Sequence, residues 1–521
     1  MAALLLLVLQ SAPVLYGEHF LEQYNTYTIQ QCDVQVTPQP TGARIRCDLR
    51  VKVRFPGPLH FVLTKNVLSL AVSRDGQRLP HTLGGGSLGT VVGLVAPKAT
   101  GVPTLVAVRP KAKVGDVLTL RFEYLWRPGE GGMAYAGGGR LDSHLTSFWL
   151  PSMAHQHFKG SIEVTTPGYA VGAGKMSIIK NGWRFDTTEP MQVLAFVVGK
   201  FDVHERGDLA LYVPPGVNVD PDAMFDDVTQ VLNDLEGRFG PRPEKSFRVV
   251  IDPAPRPSPS YCGGNFVVLH RTSLPSAIDR TRWLAHLAHE CSHRWWGHHV
   301  SMPLVGHGGT WLREGLAQWS GIRVTGALAG ESEERRLWQA HVGAYLGTCD
   351  LRRLNGGLYA NEPTLRNATP IDTPRVAYWR GALVLRLLRH VAGAERFDAF
   401  LREVNTADGK RELTLEKLGE GLGTPEVVAY YALTSRVPDF ALEEVAATGS
   451  ATIRCLDPEW PGGTVPCRVK TSDGEQNIDV VIEDGAGVLR WTGRATRIEV
   501  DPDRLWLDPI RSNSSWGVAK K

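Results

Sequence analysis

The sequence predicts a multidomain α+β protein, and three observations support this prediction. Residues 18–205 alternate apolar and polar side chains in the manner of β-strands, which indicates an all-β, sandwich-like N-terminal domain. Residues 206–440 combine short apolar strands with amphipathic helices, and one of these helices carries closely spaced histidines. Residues 441–521 return to β-type alternation with turn residues between the segments, which predicts a small C-terminal β domain.

The composition is that of an ordinary globular protein. The chain has 521 residues, of which 43% are hydrophobic and 21% charged, so it is long enough to form several cores. The net charge of +3 is small for this length and gives no indication of a nucleic-acid partner. We expect no integral membrane span, because no apolar stretch is long enough. The oligomeric state is left open.

Residues 1–17 begin with an apolar run that is too short to cross a bilayer but has the length of a signal-peptide core. The run has no Lys or Arg before it and no clear cleavage site after it, so a buried N-terminal strand is the alternative. Together with the cysteine pattern described next, the segment predicts an exported protein, either periplasmic or secreted.

The clearest strand covers residues 43–55, where apolar and polar side chains alternate. Turn-forming residues in 37–42 predict a hairpin that would place Cys32 directly opposite Cys47, within disulfide reach. The same register would pair Val36 with Ala43 and Val34 with Ile45. A disulfide would indicate an oxidising compartment, whereas two buried thiols are the alternative. Two further pairs are left open, Cys455 with Cys467 and Cys262 with Cys349.

The region from 206 to 440 begins with mixed structure and continues as helices. The patterns predict a helix over 220–239, a short strand over 246–251, and a second strand over 261–269 that contains adjacent glycines. A helix is predicted over 278–297, because its apolar positions recur at helical spacing and a glycine stands at its end.

This last helix contains the sequence His-Glu-Cys-Ser-His, a pattern that predicts a hydrolytic zinc site. His289 and His293 are four residues apart, so both imidazoles lie on one helix face and share one metal ion. Glu290 is placed to take a proton from an attacking water without ligating the metal. Catalytic zinc has three protein ligands and an open position, and Glu314 is the best candidate for the third ligand.

The alternative to a zinc site is a histidine-rich helix whose side chains are satisfied within the core. Other histidines lie close in sequence and are expected to be neighbours of the site or loop residues rather than ligands: His286, His298, His299 and His307.

The segment from His289 to Gly297 resembles the H-E-x-x-H-x-W-x-G signature of the aminopeptidase N-like zinc metallopeptidases, the gluzincin aminopeptidases. The segment around Glu314, Trp-Leu-Arg-Glu-Gly-Leu-Ala, is similar to the W-L-x-E-G-F-A segment that supplies this family's third ligand. Tyr378 stands where the family has the Tyr that stabilises the oxyanion, in a Y-x-K-G-A motif. The resemblance implies a thermolysin-like catalytic domain, one Zn²⁺ ion and a peptide substrate.

The sequence departs from the family in two places. Twenty residues separate the second histidine from Glu314 where the family usually has eighteen, which an inserted loop would absorb. The family binds the substrate's amino group with the Glu of a G-x-M-E-N motif, and the matching segment here is Gly263-Gly264-Asn265. These three residues are the candidate substrate-binding residues, and Gly264 occupies the position of the missing Glu. The family's larger members add a long helical domain, so this sequence is expected to be a short form.

The resemblance predicts a zinc peptidase, with an aminopeptidase as the first interpretation. Because Gly264 replaces the amino-binding Glu, an endopeptidase or another hydrolase of the same fold is the second interpretation. A third is an inactive peptide-binding protein on the same scaffold, although the sequence has both histidines, both glutamates and Tyr378. The preferred side chain of the substrate is not indicated by any pattern.

Overall fold

The structure is a computed structural model. It describes residues 26–39, 42–64, 67–84, 103–127, 141–143, 149–151, 156–191, 194–242, 244–252, 260–302, 308–354, 357–360, 362, 364–367, 375–407, 411–446 and 448–517. The predicted signal peptide and His307 lie outside the described residues, as does most of the loop expected to absorb the longer spacing before Glu314.

The chain divides into two compact units. The first contains the described residues up to 302 and those between 405 and 412, and the second contains those from 308 to 404 and from 413 onward. The predicted domain boundaries at 205 and 440 stay predictions.

The first unit opens with strands that build an eight-stranded sheet in the order β12-β13-β10-β1-β2-β8-β4-β5, with β3-β7-β6 and β11-β14-β9 as smaller sheets. These strands are β1 (Tyr27–Gln39), β2 (Gly42–Val53), β3 (Leu59–Thr64), β4 (Val67–Arg74), β5 (Gln77–Arg78), β6 (His81–Gly84), β7 (Pro103–Val108), β8 (Val117–Trp126), β9 (Leu141–Ser143), β10 (Lys159–Thr165), β11 (Tyr169–Gly172), β12 (Lys175–Ile179), β13 (Gly182–Asp186) and β14 (Phe196–Gly199). One apolar core joins Leu49 of the large sheet to Phe61 and Phe196 of the smaller ones, so the sheets pack face to face.

The first hairpin has the predicted strands but a different register. Val34 pairs with Cys47 and Cys32 pairs with Leu49, so the partners predicted for β1 are wrong by two residues. The chain reverses later than expected, with Gln39 opposite Gly42, because β1 continues through Pro38. Cys32 and Cys47 remain close, and their Sγ atoms lie 3.6 Å apart.

The predicted disulfide between Cys32 and Cys47 does not form. A disulfide bond measures about 2.05 Å between its sulfur atoms, so the sulfur atoms of Cys32 and Cys47 are not bonded at their separation of 3.6 Å. All seven cysteines are free thiols, including the candidate partners Cys455 and Cys467. Burial raises the pKa of the Cys47 thiol well above its usual range, which keeps this thiol protonated and unreactive.

A five-stranded sheet completes the first unit in the order β15-β16-β17-β19-β18. Its strands are β15 (Asp202–Arg206), β16 (Leu209–Val213), β17 (Phe247–Ile251), β18 (Tyr261–Cys262) and β19 (Phe266–Leu269). The central strands β16, β17 and β19 are parallel, and every residue of β17 and β19 is buried. The described part of the same unit also contains the helices α1 (Pro221–Phe239) and α2 (Arg280–Ser292).

The second unit contains helices followed by β structure. Its helices are α3 (Gly309–Ala329), α4 (Glu331–Leu346), α5 (Gly381–Val391), α6 (Ala394–Thr406), α7 (Leu415–Leu422) and α8 (Pro425–Leu433). Short strands β20 (Leu351–Leu354), β21 (Gly357–Ala360) and β22 (Arg436–Val437) form a small sheet. The C-terminal six-stranded sheet contains β23 (Phe440–Glu443), β24 (Thr448–Cys455), β25 (Gly463–Thr471), β26 (Gly474–Ile482), β27 (Ala486–Val500) and β28 (Ser515–Gly517).

The predicted multidomain α+β class is confirmed, with an N-terminal β-sheet domain, a helical middle region and a C-terminal β sheet. Among the helices that the structure describes, none combines the length and apolar character that a membrane span requires.

Candidate active site

Helix α2 carries the first half of the predicted site and is fixed at its N-terminal end. The Asp279 side chain caps the helix by accepting a hydrogen bond from the Arg282 amide. One turn further, the Trp283 indole donates to the buried carboxylate of Asp227 on α1 at 2.6 Å, and Arg280 also contacts this carboxylate. The helix that presents His289 is therefore held by a buried, charge-assisted hydrogen bond.

Helix α2 ends at Ser292, five residues before the predicted end, so the expectation of one helix over 278–297 is wrong at its C-terminus. The chain leaves the helix because the amides of Arg294 and Trp295 bond to carbonyls three residues back and begin tight turns. His293 is therefore the first residue after the helix, still with helical backbone angles of −58° and −18°. His289 and His293 therefore keep the relative placement of an α-helix, because the chain turns away only after His293.

The ring of His293 is oriented by the turn that follows it. Its Nδ1 lies 3.2 Å from the carbonyl oxygen of Trp296. A ring nitrogen that faces a carbonyl carries the proton, so Nε2 is the nitrogen with a lone pair for a metal.

The structure brings the three predicted ligands together. His289, His293 and Glu314 are all buried, and their potential ligand atoms all lie within 4.8 Å of one another. Two imidazoles and one carboxylate are the donor set of catalytic zinc sites, so the residues present fit a single zinc ion. Arg313 binds one carboxylate oxygen of Glu314, with its Nη2 at 2.8 Å and its Nε at 3.1 Å from Oε1. This pair limits the rotation of the Glu314 carboxylate.

Glu290, the predicted proton carrier, lies on α2 directly after His289 and is also buried. His286 lies one turn earlier on the same helix and does not belong to the three-residue cluster. Burial lowers the pKa of the His286 imidazole, and the nearby carboxylate of Glu290 partly offsets this effect. The Nε2 atom of His286 lies 2.9 Å from the Ser260 hydroxyl.

Tyr378 lies in a π-helical turn, Arg375–Arg380, that leads directly into α5. The motif that contains Tyr378 gives no indication of this wider turn. π-Helical turns are rare in proteins, and those that occur are often found at functional sites. The turn is held at its first residue, because Arg375 donates to the Glu362 carboxylate at 3.1 Å, and the Tyr345 hydroxyl donates to the same carboxylate at 2.6 Å. Tyr378 itself is half-buried.

The predicted substrate-binding segment forms a turn rather than part of one strand. The strand predicted over 261–269 is split into β18 and β19, which pair antiparallel with Cys262 opposite Val267. The two-residue connection is Gly264-Asn265, a combination that favours tight hairpin turns. Strand β18 lies at the edge of its sheet.

The turn conformation and its hydrogen bonds explain why Gly264 and Asn265 stand at these two positions. Gly264 has a φ of +100°, a backbone conformation that residues with a side chain rarely adopt, and a Cβ atom there would lie 2.4 Å from Met191 Cε, so the end of the Met191 side chain would have to move. The Asn265 amide is buried and forms two hydrogen bonds with the main chain of Gly174, at 2.9 and 3.1 Å. A glutamate at position 264 would be strained in this turn conformation.

A buried cluster of charged side chains includes Arg294, the residue directly after His293. Glu189 binds Arg294 at 2.8 Å and the His299 ring at 2.7 Å, and all three side chains are largely buried. Burial opposes ionisation of Glu189, but the hydrogen bond from His299 and the charge of Arg294 outweigh it and lower its pKa to about 2. Glu189 is far from these partners in sequence, so no local pattern could have revealed the cluster.

Comparison with known proteins gives a consistent assignment. Residues 265–431 match the Peptidase family M1 domain. Aminopeptidase M1-A of Oryza sativa subsp. japonica is 24% identical over 472 residues, covering 78% of this chain and 50% of the relative. Leucine aminopeptidase 2 of Eremothecium gossypii is 29% identical over 35% of this chain and 31% of its own length. The chain therefore spans half or less of the length of these curated relatives.

Solved structures show the same fold. A two-domain M1 zinc metallopeptidase bound to L-arginine superposes with a TM-score of 0.59 at 19% identity, covering 78% of this chain and 94% of that structure. Native yeast LTA4 hydrolase superposes with a TM-score of 0.61 at 16% identity, covering 79% of this chain and 68% of that structure. Residues 265–431, which contain the buried two-histidine, one-glutamate cluster, thus match the domain of the M1 peptidases, and the chain resembles the aminopeptidase N-like zinc metallopeptidases.

Proposed function

We propose that this protein is a zinc aminopeptidase that hydrolyses the N-terminal amide bond of peptides. The observation that carries the proposal is the buried cluster of His289, His293 and Glu314, with Glu290 directly after the first histidine. The family and the aminopeptidase names of the sequence relatives support a peptide substrate.

The roles of the residues follow from their chemistry. A bound zinc ion supplies a Lewis acid that activates water and polarises the scissile carbonyl. Glu290 takes the proton of the attacking water and later delivers it to the leaving amine. The Tyr378 hydroxyl donates a hydrogen bond to the oxyanion that develops on the carbonyl. Arg313 keeps the Glu314 carboxylate in a fixed orientation.

The edge strand β18 supports substrate binding by main-chain pairing, and the neighbouring glycines allow close approach of a peptide. We assign the close approach to Gly263 and Gly264, while the Asn265 side chain bonds to Gly174 and fixes the turn.

An endopeptidase is the second candidate, and Gly264 is the observation that favours it. Position 264 lacks the acidic side chain that binds a free amino group in the family, and its φ of +100° favours glycine there. Glu189 lies two residues before Met191, but Arg294 and His299 already compensate its charge. An aminopeptidase would need a carboxylate from elsewhere to bind the substrate ammonium.

Cleavage of a free-amine peptide beside its N-acetylated twin tests this proposal, each with and without a chelator. Cleavage of the free-amine peptide alone, abolished by chelator, is the expected result. Equal cleavage of both peptides would instead establish the endopeptidase. Cleavage of neither peptide by zinc-loaded protein would support the peptide-binding alternative.

We also propose that the protein is exported, on the basis of the apolar run within residues 1–17. N-terminal sequencing of the protein from its native source would reveal removal of this run, and an intact Met1 would contradict the proposal.

A further inference from the structure

The edge strand β18 presents one residue toward the open side of its sheet. Gly263 donates its amide hydrogen to the Phe266 carbonyl at 2.8 Å, so these two residues form a hydrogen-bonded pair of the antiparallel ladder. In such a ladder the next pair, Cys262 with Val267, directs its main-chain groups away from the partner strand. The carbonyl of Cys262 therefore points to the side from which an extended peptide adds to the sheet.

His298 holds this carbonyl from the turn that follows the zinc-binding motif. Its Nε2 lies 3.0 Å from the Cys262 oxygen, and a ring nitrogen at this position donates its hydrogen to the carbonyl. The main-chain amide of His298 also donates to the carbonyl of His293, at 3.4 Å. One residue thus connects the edge strand with the second metal-ligand position.

His286 holds the other end of the same strand from helix α2. Its Nε2 lies 2.9 Å from the hydroxyl of Ser260, the residue directly before β18. This hydroxyl also accepts the amide hydrogen of His270 at 3.1 Å, so its position is fixed from two sides. Because His286 precedes His289 by three residues, it lies on a neighbouring part of the helix surface.

We propose that His286 and His298 are positioning residues that set the distance between the substrate-binding edge strand and the zinc-binding motif. They bind the two ends of the segment from 260 to 262, which spans about 7 Å in an extended chain. Their contribution is to docking of the peptide main chain, since neither belongs to the metal cluster. The inference rests on the proposed peptidase function, because it assigns β18 to the substrate.

Steady-state kinetics of full-length zinc-loaded variants test this role. His298→Leu removes the donor, whereas His298→Gln keeps an amide donor for the Cys262 carbonyl and serves as the matched control. For a tetrapeptide, His298→Leu is expected to raise KM about fivefold to tenfold, as for one lost hydrogen bond, with kcat within about twofold. For an anilide of a single amino acid, KM and kcat of His298→Leu should stay close to the wild-type values. The anilide carries a free or an acetylated amino group, whichever the wild type cleaves. His286→Leu should behave in the same way.

Hydrogen–deuterium exchange of segment 260–263 gives a readout that does not depend on activity. Exchange should become about fivefold faster in His298→Leu and return to the wild-type rate in His298→Gln. The zinc content should stay at one ion per chain in all variants. If the wild type cleaves no peptide but exchange responds in this way, the proposed function fails and the strand contact stands.

Two results would overturn the positioning role. One is an active wild type whose His298→Leu variant keeps both its KM and its exchange rate. The other is a fall in zinc content, or an equal fall in kcat for both substrates, because either would place His298 in support of the metal itself.

Discussion

Replacing Glu189 by Gln should destabilise the first unit strongly at neutral pH. The carboxylate lies 2.8 Å from Arg294, whose side chain is only 2% exposed, and 2.7 Å from the His299 ring. Gln has nearly the same shape but no charge. The substitution therefore leaves the guanidinium of Arg294 buried without a counter-ion. Removing one partner of a buried ion pair lowers the free energy of unfolding strongly, because the remaining charge is uncompensated.

The lowered pKa of Glu189 gives the magnitude and its pH dependence. A change from the ordinary value of 4.5 to about 2 corresponds to roughly 3 kcal/mol, at about 1.4 kcal/mol per pKa unit. Because the pKa is lowered in the folded state, this stabilisation is complete above pH 4.5. It is lost as the pH falls toward 2, where the folded wild type also becomes protonated.

Urea unfolding of the full chain at pH 7 and at pH 3 measures this effect. At pH 7 the Glu189→Gln variant should lose about 3 kcal/mol of unfolding free energy, and at pH 3 the difference should be much smaller. Glu163→Gln is the matched control, since Glu163 binds the more exposed Arg184 at the sheet surface and should cost about 1 kcal/mol or less. A loss below about 1 kcal/mol for Glu189→Gln, or the same loss at both pH values, would refute the reasoning.

Three further predictions concern the site and its support. Glu290→Gln should lower kcat about 10²-fold to 10⁴-fold with unchanged zinc content, as shown by peptide hydrolysis and elemental analysis, and an activity near wild type would exclude Glu290 as the proton carrier. Tyr378→Phe should lower kcat about 10²-fold with little change in KM, and a change confined to KM would contradict an oxyanion contact. Asp227→Ala should lower the free energy of unfolding by about 1–3 kcal/mol, because the buried Trp283 indole loses its acceptor. The neighbouring Asp226→Ala, which removes only an exposed pair with Arg206, should have almost no effect on urea unfolding, and equal effects would count against the role of Asp227.

The local parts of the site could be predicted from the sequence because helical spacing determines them. The four-residue separation of His289 and His293 places both rings together even though the helix ends between them, since His293 keeps helical backbone angles. Glu314 could be chosen because catalytic zinc requires a third ligand and few acidic residues follow the motif closely. The position of Tyr378 came from the family resemblance alone, and its wider π-helical turn has no sequence signal.

The errors have physical causes. Side chains alternate with a period of two along a strand, so a two-residue slip of Cys32 and Val34 keeps every side chain on its face and cannot be recognised from alternation. The split of the strand over 261–269 was recognisable, because Gly264-Asn265 is a turn pair. After α2 ends at Ser292, the Trp295 indole in the following turn donates to the Gly240 carbonyl, a tertiary contact that no local sequence pattern contains.

The zinc content of the purified full-length chain, measured together with peptide hydrolysis, tests the central claim most directly. The account predicts one zinc ion per chain in the wild type, loss of both metal and activity in His289→Ala, and recovery of wild-type activity when zinc is returned after chelation. Wild-type protein that holds no zinc, or that hydrolyses peptides at an unchanged rate after the metal has been removed, would contradict it.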